Sequence, residues 1–542
     1  MFNIIGIRLR RGDNSQKIWL NDGSFTNLKK LQIFIVDIWT LGGESVDYLP
    51  NQLRVLDWRE CSLRSLPANF NPRKLGMLQM HGPCTTPLAE GLKNMRYLNS
   101  IKMSDCHGIT RIPDLSGLTS LEYLELCYFR DLVEVDPSVG RLNKLLILRL
   151  TRCFKLQMFL KGINLKSLET LDLSGCPLKF FPEIEGDMKS LNHLELSETH
   201  IKELPCSVGN LTGLKSLSLT DCHHLTNVPS SIFYALQCLE YVGLGYCYEL
   251  VTFPTKSESL PPPNFSTNLT RLQVYLYGCY GLEEISEFPR EIDGLDVERC
   301  ESLERISKLS KILEGKDSKM FSSLELADCQ TLCDNLARGV GSEVHVAKNG
   351  LKMTSEELIG EAEKLTALLT LFFSCPKSEE FQVQFPTSAP IPSWFTCRQD
   401  VNWDVDSDVN WEMYWGEVYS EVIHKEHELC IEIPQNSNWD NRGLAFCVQL
   451  CSAHLTCFVY INGIKFDKKD VLWGNVWVHY IPLVTVIRRL SENGMPPPDM
   501  FRVMFRFEEN VTDSAITMKV SWGVHLIEDL EGKADDSPAD FQ

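Results

Sequence analysis

LETLDLSGCPLKFFP, residues 168–182, recurs with small changes as LNSIKMSDCHGITRIP (98–113) and LKSLSLTDCHHLTNVP (214–229). The shared form is L-x-x-L-x-L-x-x-C, one or two residues, then L-x-x-I/F/V-P. With the cysteine slot as register mark, copies fall at Cys61, Pro83, Cys106, Phe129, Cys153, Cys176, Thr199, Cys222 and Cys247, spaced 22 to 25 residues apart. Looser copies follow at Cys279, Cys300 and Cys329, and an earlier one, LKKLQIFIV, ends at Val36. That makes roughly 13 copies, with a spacing inside the range of about 20–29 residues of a leucine-rich repeat.

Each part of the phrase has a physical task. L-x-L alternates with period two, as a strand with one buried face does. Leu171 and Leu173 are expected to point inward, and Thr170, Asp172 and Ser174 to solvent. One such strand cannot bury its face alone, so neighbouring copies stack over a shared core. The slot takes a small buried thiol able to satisfy loop backbone groups. Pro182, Pro205 and Pro229 fix φ and end regular pairing on the convex side. The expected fold is an α/β leucine-rich-repeat solenoid (horseshoe) over 28–336, with 1–27 as lead-in or cap.

The register also accounts for cysteine usage. Nine of the 20 cysteines fill the slot, one per repeat and never in C-x-x-C pairs. A disulfide framework or zinc site is therefore disfavoured, and buried thiols in a reducing compartment are expected. A net charge of −19 argues against nucleic-acid binding, which needs a basic surface. The first residues, MFNIIGIRLRRGDNSQ, carry no sustained apolar run, so no secretory signal is expected. ALLTLFF (367–373) is too short to span a bilayer. Sequons stand at Asn210, Asn264, Asn268 and Asn510, and matter only in a secretory compartment.

After Leu332 the repeat fades. TSEELIGEAEKLTALLTLFF (354–373) opens with a capping box, Thr354 and Glu357, and reads as a helix covering the open end of the solenoid, within a linker at 337–378. From about 380 the period becomes two. FQVQF, ELCIEI, GLAFCVQL, LTCFVYI, NVWVHYI, MFRVMFRF and ITMKVSWGVHLI read as short strands separated by turn residues, which predicts an all-β jelly-roll/Ig-like sandwich domain at 379–530. The acidic end at 531–542 reads as a disordered tail.

Several blocks resemble the C-terminal half of plant intracellular immune receptors of the TIR-NB-LRR class. LPNQLRVLDWRECSLRSLPANFNPRKLGMLQM (49–80) is similar to their first repeats, and LEYLELCYFRDLVEVDPSVGRLNKLLILRL (121–150) to the following ones. FPTSAPIPSWF (385–395), ELCIEIPQNSNWDNRGLAFCVQL (428–450) and KVSWGVHLI (519–527) resemble their C-terminal jelly-roll/Ig-like domain. The resemblance implies a cytoplasmic, and in some settings nuclear, sensor of pathogen effector proteins. It departs from the family in having no TIR or NB-ARC domain before the repeats. No G-x-x-x-x-G-K-[ST] occurs, so the family's nucleotide switch and NAD-cleaving activity do not carry over, and no cofactor is expected.

Candidate partner-binding residues follow from the register of the concave face. They are Tyr123, Glu125 and Tyr128 near Phe129; Arg149 and Arg152 near Cys153; Asp172, His193, Glu195 and Glu198 near Cys176 and Thr199; and Tyr241, Tyr246, Tyr275 and Tyr277 near Cys247 and Cys279. Tyrosines on a rigid open face bury much area at small entropy cost. A second candidate is segment 396–427, in which DVNW occurs twice, with Trp403, Trp411, Tyr414 and Trp415. It reads either as a specificity loop or as a strand pair whose aromatics pack onto the sandwich. Asp404, Asp406 and Asp408 mimic a calcium loop, but Val409 and Trp415 replace its Gly and Glu. His424 and His427 lack the H-E-x-x-H form and read as a solvated loop.

No catalytic constellation is present. The expected function is non-enzymatic recognition of a protein ligand, either a pathogen effector or a guarded host protein, with no nucleic-acid or membrane partner. Two alternatives are a truncated regulator associating with a full-length receptor and an extracellular ectodomain. The ectodomain predicts a signal peptide, capping cysteine pairs and an N-x-L-x-G-x-I-P repeat, none of which is seen.

Overall fold

The computed structural model describes residues 4–9, 18–21, 23–36, 41–42, 46–59, 61, 63, 66–67, 69–82, 95–254, 271–286, 292–307, 323–338, 365, 368–369, 380–386, 391, 395, 397–404, 422–432, 442–450, 455–471, 475–496, 500–510 and 517–527. The chain forms two compact units, Met1–Pro289 and Arg290–Gln542.

The first unit is a solenoid built on one parallel ladder of short strands, one per repeat. They are Gly6–Leu9 (β1), Ile33–Val36 (β2), Val55–Trp58 (β3), Met77–His81 (β4), Ser100–Ser104 (β5), Tyr123–Cys127 (β6), Ile147–Arg149 (β7), Thr170–Asp172 (β8), His193–Glu195 (β9), Ser216–Ser218 (β10), Tyr241–Gly243 (β11) and Gln273–Tyr275 (β12). Each pairs with the next in unshifted register, so that Leu124, Leu148, Leu171, Leu194, Leu217, Val242 and Val274 form one column. Every member of that column is at most 1% exposed. Truncating such a leucine to alanine costs about 2–5 kcal/mol, because stacked turns cannot collapse into the void. Two-residue strands pair on the opposite side, Arg111–Ile112 with Glu134–Val135 and Gly162–Ile163 with Glu183–Ile184. β1 lies within the segment read as a lead-in, and it extends the ladder by pairing with β2. Phe25, Phe34 and Trp58 pack edge-on beneath that end, at ring distances of 5.2 and 5.4 Å.

The cysteine slot works by bonding one turn to the preceding one. Cys176 Sγ donates to Leu150 O at 2.8 Å, Cys222 to Leu196 O at 3.2 Å, Cys247 to Leu219 O at 3.3 Å and Cys279 to Leu244 O at 3.0 Å. Thr199, which replaces cysteine in its turn, lies 3.2 Å from Cys222 Sγ through its hydroxyl. Burial pushes the Cys222 thiol up to about 11, so it stays a protonated donor rather than a nucleophile.

One position before the slot the backbone is left-handed. Asp105, Tyr128, Arg152, Glu198, Asp221 and Tyr246 have φ between 54° and 60°, and Gly175 and Gly278 have φ of 69° and 68°. The chain must reverse there to return to the opposite side, and a left-handed residue makes the reversal in one step.

In the second unit, Gly294–Asp296 (β13) and Ser323–Glu325 (β14) continue the repeat pattern as a parallel pair, and Cys329 Sγ donates to Val297 O at 2.8 Å. The next strand, Phe381–Pro386 (β15), pairs parallel with β14 on one side and antiparallel with Asn475–Pro482 on the other. A strand that sequence alone assigns to the β-domain therefore covers the sheet edge of the last repeat, and an uncovered edge is open to pairing with another chain. Of the helix expected over 354–373, only Leu365, Leu368 and Leu369 are described; they are helical and buried. The remainder lies outside the described residues.

The rest of this unit is two antiparallel sheets. Cys397–Asp404 (β16) pairs with Thr517–Ile527, which also pairs with Gly443–Leu450 (β18), and β18 pairs with Asn475–Pro482 (β21). The other sheet runs Val422–Glu432 (β17), Met500–Asn510 (β22), Leu455–Ile461 (β19) and Ile464–Val471 (β20); Thr517–Ile527 is β23. Phe446, Val448, Trp477 and Trp522 of the first sheet and Val459, Phe501, Phe505 and Phe507 of the second share one core, joined by Val486 and Leu490 of the helix Leu483–Glu492 (α1). His479 is buried between Asp467 (2.8 Å) and Glu380 (2.9 Å); burial opposes its charge, but the two carboxylates outweigh burial and raise its pKa. Lys469 of β20 pairs with Glu325 of β14. His424 and His427 lie on β17, opposite Glu508 and Phe505. This corrects the solvated-loop reading: the run is continuous with ELCIEI, and each added residue gains ladder hydrogen bonds.

Candidate protein-binding face

The solvent side of the ladder in the first unit carries the residues singled out by the register, and it divides into two stretches of different chemistry. The third position of each strand forms one row: Lys102, Glu125, Arg149, Asp172, Glu195, Ser218, Gly243 and Tyr275 are successive cross-strand partners.

Over the first four members the row alternates in sign and closes on itself. Glu125 bonds Lys102 at 2.8 Å and Arg149 at 3.1 Å, and Arg149 reaches Asp172 at 3.9 Å. Burial pushes the Glu125 carboxyl up, but the bonds and charges of Lys102 and Arg149 more than reverse this and leave its pKa lowered. Along the left-handed column, Arg152 pairs with Glu198 at 3.4 Å and lies over the Tyr128 ring at 5.8 Å. Lys102 lies over the Tyr123 ring at 5.9 Å. The structure thus brings Tyr123, Glu125, Tyr128, Arg149, Arg152, Asp172 and Glu198 together, largely satisfying one another. His193 and Glu195 follow on β9; His193 is exposed, and Glu195 accepts from the Ser197 amide at 3.0 Å.

Beyond β9 the face becomes aromatic. Tyr241 packs against Tyr275 at 5.2 Å, and Tyr246 stands edge-on to Tyr277 at 5.1 Å. These rings lie on glycines. A Cβ on Gly245 would come within 2.4 Å of the Tyr277 ring, one on Gly243 within 2.7 Å of the Tyr241 hydroxyl, and one on Gly278 within 2.5 Å of the Tyr246 ring. The missing side chains leave the room that these ring atoms occupy against the ladder. The Tyr275 hydroxyl donates to Gln273 at 2.8 Å.

Three more rings join this floor that the register did not nominate. His223 stacks on Tyr248 at 4.5 Å with planes 4° apart, and Tyr248 on Tyr280 at 5.6 Å. Tyr248 also meets Tyr246 at 6.4 Å. The His223 ring is held by Nδ1 at 3.0 Å from Tyr246 O. Each stands one residue after its cysteine slot, in CHHL, CYEL and CYGL, and that shared offset was the readable signal. Burial and the neighbouring Tyr280 and Asp221 raise the Tyr248 pKa.

Trp403 lies on β16, opposite Met518. Trp411, Tyr414 and Trp415 lie outside the described residues. Among the described residues no group of three His, Cys, Asp or Glu could hold a metal ion, and no helix is long and apolar enough to cross a membrane.

A parallel strand ladder with thiol-bonded turns at many of its steps, closed by short strands opposite, defines a leucine-rich-repeat solenoid, and part of it is similar to repeats of plant disease-resistance proteins. Residues 164–259 match the family model described as disease resistance protein RPS4B-like, leucine-rich repeats. Disease resistance protein RPP4 of Arabidopsis thaliana is 35% identical over 181 residues, which is 33% of this chain and 16% of RPP4. TMV resistance protein N of Nicotiana glutinosa is 33% identical over 187 residues, 32% of this chain and 16% of that protein. Both are TIR-NB-LRR proteins, matched over their repeats. The matched segment thus spans less than a fifth of either relative. Among solved structures, the LRR protein LIC12759 of Leptospira interrogans is similar at 20% identity, over 56% of this chain and 79% of that one, with a TM-score of 0.36.

Proposed function

We propose that this chain is the protein-recognition portion of a plant intracellular immune receptor, acting in the cytoplasm without catalysis. It engages a pathogen effector or a guarded host protein through the ladder face and the domain after the repeats. That second domain we read as the jelly-roll/Ig-like fold of such receptors, on its two antiparallel sheets and single shared core. The observation carrying the proposal is the aromatic floor set on glycines. Rigid tyrosines that are already positioned lose little freedom on binding, and such residues dominate interface energetics. The family match at 164–259 includes Tyr241, Tyr246 and Tyr248 of that floor.

Testing begins with the intact chain as bait against effector and host-protein libraries, scored by calorimetry on purified candidates. Alanine at Tyr246 and Tyr277, or charge reversal at Glu195 and Glu198, is expected to weaken binding without changing the circular-dichroism spectrum. Unchanged affinity in all four variants moves the site to the second domain. Calorimetry with ATP is expected to give no heat of binding; tight ATP binding overturns the reading.

A further inference from the structure

We propose that the aromatic end of the ladder face seats an arginine or lysine side chain of the partner protein, over the Tyr246 ring and beside Asp221, which stands one turn before it in the left-handed column. This rests on the recognition reading above and specifies the chemistry of the partner.

The repeat supplies its own precedent. Tyr123 and Tyr241 occupy one strand position in different turns, and Tyr128 and Tyr246 both stand one residue before a slot. In the earlier turns each tyrosine has a cation of this chain on its ring. Lys102, one turn before, lies over Tyr123; Arg152, one turn after, lies over Tyr128. In the later turns the same two supplying positions hold Ser218 and Gly278. Neither can provide a charge, and Gly278 provides no side chain at all.

The anionic half of the arrangement is kept. Glu195 lies near enough to Tyr241, and Asp221 to Tyr248, to raise their pKa values, behind larger contributions from burial and neighbouring tyrosines. Among the described residues neither carboxylate pairs with a lysine or arginine. Ring faces attract cations through their quadrupole, and a carboxylate beside them adds Coulomb attraction. Tyr246 is half-buried and its neighbour Tyr248 is 42% exposed. Arginine fits better than lysine, because a planar guanidinium can stack on a ring face.

The test uses the full chain and fluorescein-labelled peptides of alternating glycine with arginine, lysine or glutamine, read by fluorescence anisotropy at physiological salt. The arginine peptide is expected to bind most tightly and the glutamine peptide not measurably. Tyr246→Leu should weaken the arginine peptide about two- to thirtyfold, the span of one cation–π contact. Tyr97→Leu, on an exposed ring of another turn, should change nothing. Three results overturn the proposal: no arginine-peptide binding up to millimolar concentration, glutamine-peptide binding as tight, or arginine-peptide affinity unchanged across the variants, which makes it an effect of net charge alone. Each of these leaves recognition by another surface intact, and the calorimetric comparison above judges that separately.

Discussion

The two stretches of the ladder face differ in what the molecule has already done with their side chains. From β5 to β8 charges alternate along one row and neutralise one another, Lys102 with Glu125, Glu125 with Arg149, Arg149 with Asp172. From β10 to β12 the row gives way to serine, glycine and tyrosine, and rings lie on bare backbone. One scaffold therefore carries a face that is largely self-satisfied and a face that is rigid and unfinished. Polar residues at equivalent positions are not equivalent candidates for binding.

The sharpest way to break the contrast is to add a Cβ at the same backbone position in each stretch. Gly278→Ala adds left-handed strain and drives into the Tyr246 ring, for a loss of roughly 2–4 kcal/mol in urea unfolding. Gly175→Ala carries the same strain, but its one close approach, 2.8 Å, is to Arg152 Cγ of an unbranched side chain rather than to a rigid ring, so the loss should be about 1–2 kcal/mol. Equal losses would show that the tyrosine is not held against the glycine.

Affinity comes next. Tyr246→Ala with Tyr277→Ala should weaken a protein partner tenfold or more, about 1.4 kcal/mol, while Glu125→Ala with Arg149→Ala changes it less. The reverse ranking would make the charged stretch the contact surface. Smaller still are the pair couplings measured by double-mutant cycles. Roughly 0.5–1.5 kcal/mol is expected between Tyr241 and Tyr275, and about 0.2–1 kcal/mol between Glu125 and Arg149.

The smallest difference is in acid. The folded pKa of Glu125 lies below the ordinary value of 4.5, so its contribution is complete above that value and is lost as pH falls through the folded pKa. Between pH 5 and 3 the unfolding free energy should therefore fall less in Glu125→Gln than in the parent chain. Parallel curves would mean that the carboxylate gains nothing from its two cations.

Sequence alone was enough for the register of the ladder, because L-x-L and the slot repeat at a spacing only stacked turns satisfy. It could not give the ion row, which exists only once residues about 23 positions apart are brought side by side in unshifted pairing. The floor was half legible. Tyr241, Tyr246, Tyr275 and Tyr277 stood before the cysteine slot, at positions the register assigned to the face, whereas His223, Tyr248 and Tyr280 stand one residue after the slot, where the register gave no reason to look. FQVQF read as a strand of the β-domain, but nothing in five alternating residues says that β15 has partners of opposite direction on its two edges. The left-handed column was equally hidden. Arg, Glu and Tyr do not advertise positive φ, and the geometry is imposed by the turn's closure rather than by local preference.

That column has a consequence for how such a chain can change. Its backbone conformation is disfavoured for residues with a Cβ, less so for aspartate, whose short polar side chain can bond locally, and by a similar amount for tyrosine, arginine and glutamate. Aspartate, tyrosine, arginine, glutamate and glycine all stand there in successive turns. Exchanging one of the first four for another hardly alters the fold, yet it redraws the chemistry offered to a partner, from the Arg152 charge to the Tyr246 ring. The site of greatest conformational constraint is thus also the site where new specificities can be tried at least structural risk.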